Sequence, residues 1–95
     1  MSINANNDPD AMSGFPSPRA IGAAIRIHLA SQGRTKAFVD VQQIPGKDAP
    51  IYIITTESSL ASTVQPFLEA RIGRRCPYNQ GSFLVHGSEA ERLLT

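Results

Sequence analysis

Three arginines, the only cysteine and one of the two tyrosines fall within the ten residues Glu69-Ala-Arg-Ile-Gly-Arg-Arg-Cys-Pro-Tyr78. Arg71, Arg74 and Arg75 present rigid forks of donors that suit phosphate or carboxylate, and Tyr78 offers a ring for stacking beside them. The acids sit at Asp8, Asp10, Asp40, Asp48, Glu57, Glu69, Glu89 and Glu91, so Ala70 to Ser88 holds basic residues and no acidic ones. The segment reads as a local positive patch for binding a partner, and Arg71, Arg74, Arg75 and Tyr78 are its candidate contacts. The bland alternative is a solvated helix terminus, where cations complement the helix dipole and satisfy its last carbonyls, with Arg71 pairing with Glu69 or Glu57.

Other chemistries find less support. Cys76 with His86 or His28 is the one cysteine–histidine combination, and the neighbouring Arg74 and Arg75 would lower the thiol pKa. Pro77 follows the cysteine directly and no oxyanion loop is recognisable, so no catalytic residue is assigned. Ser58-Ser59 suits helix capping better than nucleophilic attack. Gly46-Lys47 lacks the spacing of a phosphate loop and falls in a turn between two strands. His28, Cys76 and His86 do not have a zinc spacing, so neither metal nor cofactor is expected.

The chain has 95 residues, 41% apolar and 18% charged, with a formal net charge of +1. That length allows one small domain, too small to enclose a deep cofactor pocket while also packing itself. The net charge is too low to steer the whole molecule onto a polyanion, so any nucleic-acid binding would be local. No basic leader precedes an apolar run, and no stretch approaches the ~18 apolar residues of a membrane span. One cysteine builds no intramolecular disulfide. A cytoplasmic, reducing setting away from the membrane is the expectation.

Residues 1–15, with three asparagines, two aspartates and Pro9, read as a flexible N-terminal arm, and residues 16–95 as a single α+β domain. Ser17-Pro18 supplies an N-cap and a first-turn proline, predicting a helix from Pro18 to about Gln32 that Gly33 stops. Ile21, Ala24, Ile25, His28 and Leu29 fall at helical spacing and apolar side chains also occupy Ala20, Ala23 and Ile27, so the helix should be covered over much of its circumference, with a second copy of the protein as one candidate cover. Alternation from Thr35 to Ile44 predicts a half-buried strand, and the β-branched run Ile51–Thr56 a more central one. They form a hairpin with a loop of about five residues. Thr56, Ser58 or Ser59 should cap a second helix burying Leu60, Val64, Phe67, Leu68 and Ile72, stopped by Gly73. Pro66 should either kink that helix or open a second short one. Ser82–His86 is the third strand, and Ser88 with Glu91 has the spacing of a capping box for a short terminal helix over Glu89–Leu94.

The order α-β-β-α-(α)-β-α, with helices packed on a three-stranded sheet, resembles the topology of type II KH-like domains, a group that includes RNA-binding modules and the BolA-like proteins. The segment placed like the KH GxxG loop reads Gly73-Arg-Arg-Cys76, without the second glycine, and runs into Pro77-Tyr78 where the family has a further helix. His86 stands where BolA-like proteins carry a histidine near the last strand, in surroundings that do not match. The chain is assigned to neither group. The expected function is a small non-enzymatic binding protein, adaptor or inhibitor, that docks on a protein or nucleoprotein through the arginine surface. An RNA- or DNA-binding domain is the alternative, a cysteine-dependent enzyme the distant third, and a homodimer a further partner expectation.

Overall fold

The computed structural model describes residues 14–94, and most of the predicted N-terminal arm, residues 1–13, lies outside them. Pro16 is tied to the sheet: its carbonyl accepts the Tyr52 hydroxyl, and Gln43 Nε2 reaches the same carbonyl and the Tyr52 oxygen.

Helix α1 covers Pro18–Ser31, and the Ser17 hydroxyl accepts the Ala20 N–H at 3.1 Å as its N-cap. Ile21, Ile25 and Leu29, one turn apart, face the core together with Gly22. Within one chain the rest of its apolar surface stays open. Ala23 and Ala30 are exposed and Ile27 is 71% exposed. The reason is geometric: α1 meets the rest of the domain along one side, so a single stripe is buried whatever the composition of the others.

Strands β1 (Val39–Ile44), β2 (Ile51–Thr56) and β3 (Ser82–His86) form an antiparallel sheet in the order β1-β2-β3. The β-branched strand is the central one, as its composition requires. β3 lies at the far edge, antiparallel to β2. The hairpin loop spans six residues, 45–50, because β1 and β2 stay paired to Ile44↔Ile51.

Helix α2 runs unbroken over Ala61–Ile72 with Pro66 inside it, so the optional extra helix in the predicted order does not form. No serine or threonine caps it. Ser58–Leu60 form a 3-10 turn whose Leu60 N–H bonds the Glu57 carbonyl, leading into the helix by backbone bonds alone. Leu60, Val64, Phe67, Leu68 and Ile72 are buried, and Gly73 closes the helix in the left-handed region at φ 78°. Helix α3 is shorter than predicted, Gly87–Ala90, and continues as a 3-10 turn over Glu91–Leu94. Its cap lies two residues before the predicted pair: Glu89 Oε1 accepts the His86 N–H at 3.1 Å. The α-helical turn begins earlier because Gly87 N–H still bonds Pro50 O at 2.7 Å, holding the strand end and the helix start together.

One core forms between the sheet and the helices, joining Tyr52, Ile54, Phe83 and Val85 to Ile21, Ile25, Leu29, Val64, Leu68 and Leu93. These strand residues alternate with a second face, so the helices occupy one side of the sheet. Among the described residues, no helix is long and apolar enough to cross a membrane.

Candidate functional site

The fold disperses the ten-residue cluster. Gly73 reverses the chain after α2, and Arg74 turns inward instead of outward. Its Nε and Nη2 meet Glu89 Oε2 and Oε1 at 2.6 and 2.9 Å, Nη2 also donates to Leu84 O at 3.1 Å, and Nη1 donates to Arg75 O at 2.8 Å. The fork therefore joins the loop after α2 to β3 and to the first turn of α3. The Arg74 guanidinium, with help from the His86 N–H, holds the Glu89 carboxyl below the usual carboxylate range.

Cys76 and Tyr78 are likewise engaged internally. Cys76 is 1% exposed, its N–H donates to Glu69 Oε2 at 2.8 Å, and its thiol points at Leu84 O, 3.6 Å away. Burial pushes the Cys76 thiol pKa up by more than Arg74 pulls it down, which corrects the expectation of a lowered value. Tyr78 donates its hydroxyl to Thr56 O at 2.9 Å, and its ring lies tilted against Phe83, 5.0 Å between centroids. The outward surface of this segment is left to Arg71 and Arg75. Both are exposed, and Arg75 makes no side-chain hydrogen bond or ion pair among the described residues.

Arg71 belongs to a different surface from Arg74. Its guanidinium lies over the Phe67 ring, 5.1 Å from the centroid, and the His28 imidazole stacks on the same ring at 4.4 Å and 21°. This three-residue ridge is shared by two adjacent hollows. One, of about 320 Å3 between α1, α2 and the terminal turn, is walled by Ala24, Ile27, Leu93 and Leu94. The other, of about 520 Å3, is walled by Gln32, Ser62, Thr63 and Pro66. No acidic residue lines either hollow among the described residues. Arg74 instead lines a third hollow, of about 420 Å3, with Pro77, Asn79, Gln80, Leu84 and His86.

No protein-family model, curated protein or solved structure matches this chain. The chemistry of the surface is thus the ground for a functional reading. Sequence spacing singled out Arg71 but missed its partners. Phe67 reads as one more core residue of α2, and His28 as a partly buried residue of α1, 39 positions earlier. The usable signal was the excess apolar surface of α1, which places Ile27 beside the groove.

Proposed function

We propose that the protein is a small non-enzymatic docking module that engages an acidic, apolar segment of a partner protein in the groove between α1 and α2. The observation that carries this reading is the stack of Arg71 and His28 on Phe67, set beside Ile27 (71% exposed) and Leu94 (45% exposed). An arginine held over an aromatic ring is pre-oriented, so less side-chain entropy is lost when it meets a carboxylate. Exposed aliphatic side chains next to it give a partner its buried anchors, and arginine and aromatic residues are the usual centres of such contacts. A groove whose one fixed charge is the Arg71 guanidinium, with no acid among its lining residues, disfavours a basic segment and accepts an acidic one. Arg74 and Tyr78 support the surface from within, since both are engaged in internal bonds.

The test is selection from a randomised peptide library with the full chain as bait, followed by NMR titration of the enriched peptides. The expected peptides combine Asp or Glu with Leu or Phe, shift the amides around His28, Phe67 and Arg71, and lose at least tenfold in affinity against Arg71→Glu. Enrichment without acidic residues, or shifts confined to another surface, overturns the reading. The nucleic-acid alternative draws on the same exposed Arg71 and Arg75. Binding of a random single-stranded oligonucleotide that weakens steeply with salt moves that reading to first place.

A further inference from the structure

The sheet has a second face, and its pattern of residues is self-complementary. Strand register places nine side chains on it in three rows: Asp40–Thr55–Ser82, Gln42–Ile53–Leu84 and Ile44–Ile51–His86. Ile44, Ile51, Ile53 and Leu84 form a continuous apolar block, with Leu84 54% exposed and Ile44 38% exposed. The two ionisable groups of the face, Asp40 and His86, occupy opposite corners about Ile53. We propose that this open face binds a second copy of the same chain, strands crossing at near right angles, with Asp40 of each copy meeting His86 of the other.

The arrangement follows from symmetry. A two-fold pairing of identical surfaces requires an axis lying between the two sheets. An axis along the strands sets Asp40 over Ser82, and one across them sets Asp40 over Ile44. An axis through the Asp40–His86 diagonal sets each of these two side chains over its own copy. An axis close to the other diagonal, from Ile44 to Ser82, brings Asp40 and His86 together twice, and sets Ile53 over Ile53 and Ile44 over Ile44. Crossing angles near 90° are one of the two usual ways that sheets pack face to face.

The sheet edges disfavour the competing mode, strand addition. Thr56 N–H bonds Gly81 O and Gly87 N–H bonds Pro50 O, so alternation along the β2–β3 ladder turns the Leu84 carbonyl outward. That carbonyl is taken by Arg74 Nη2 and the Cys76 thiol, while on the opposite edge Arg26 Nη2 takes Val39 O. A nucleic-acid occupant of the open face is disfavoured as well, because its nine positions hold no Phe, Tyr or Trp and include Asp40. The face measures about 14 by 20 Å from strand spacing and rise, or about 300 Å2 per copy. That is below the ~800 Å2 per partner of a standard interface, so the dimer is weak and forms only at high concentration.

Sedimentation equilibrium of the full chain across a concentration series tests the proposal, which is independent of the docking groove. The wild type should associate reversibly, and Leu84→Glu, at an exposed position, should weaken that association at least tenfold. Asp40→Lys and His86→Asp should each weaken it, and the double variant, which again sets complementary groups opposite each other, should recover most of the loss. Arg71→Glu and Ile27→Glu, in the groove, should leave it unchanged. A wild type that stays monomeric at millimolar concentration overturns the proposal. Association untouched by Leu84→Glu, or abolished by Ile27→Glu, does the same.

Discussion

Arg74 holds both carboxylate oxygens of Glu89, at 2.6 and 2.9 Å, across fifteen residues of sequence. The pair closes the loop that follows α2 against the start of α3. Its Glu89 end is 15% exposed and its Arg74 end 36%, so solvent screens it only in part. Truncation also leaves Leu84 O and Arg75 O without the donors that Arg74 supplies.

Arg74→Ala is therefore expected to lower stability by about 1–3 kcal/mol, measured by chemical denaturation. Arg74→Lys should recover only part of this, because an ammonium cannot reproduce the two parallel bonds. Equal stability of the lysine variant and the wild type would show that the fork geometry contributes nothing.

The same pair sets an acid limit. Glu89 has its folded pKa lowered, so its ionised form is favoured by folding. The resulting stability is present above the unfolded carboxylate value, about 4.3, and is lost as the pH falls through the folded value. Melting temperature should thus drop more steeply below about pH 4 for the wild type than for Glu89→Gln. Parallel profiles of the two proteins would remove Glu89 from the acid response.

Gly87 is expected to tolerate no side chain. A Cβ there would stand 2.8 Å from Pro50 Cδ and 2.9 Å from Pro50 O, a rigid ring and a backbone atom that cannot turn aside. Gly87→Ala should cost about 1–3 kcal/mol, lowering the melting temperature by about 5–20 °C, and should lengthen the Gly87–Pro50 hydrogen bond. A variant melting with the wild type would mean that the β2–α3 junction relaxes freely.

Cys76 should be slow to react. Its burial and raised pKa leave little exposed thiolate at neutral pH, so a disulfide reagent should modify the native protein at least a hundredfold more slowly than the unfolded one. Reaction at the rate of a free thiol would instead reopen the cysteine-dependent enzyme as a reading.

The chain's local patterns were enough to locate its elements. Ser17-Pro18 marks the start of α1, the alternation before Ile44 marks β1, and the β-branched run from Ile51 marks the central strand. Val64, Phe67, Leu68 and Ile72 of α2 all proved buried, as did Leu60 in the turn before it. These features depend on backbone periodicity and capping, which act over a few residues and are written into neighbouring side chains. The arginine cluster is different. Arg71, Arg74 and Arg75 are alike in type and adjacent in sequence, yet one lies over Phe67, one clamps Glu89 and one is left to solvent. Gly73 turns the chain between the first and second, and what each meets then depends on elements far away: α1 for Arg71, β3 and α3 for Arg74. The edge position of β3, the burial of Cys76 and the inward hydroxyl of Tyr78 have the same origin. A side chain's chemistry is local, but whether it faces a partner or the protein's own interior is decided by long-range packing, which only the tertiary structure contains.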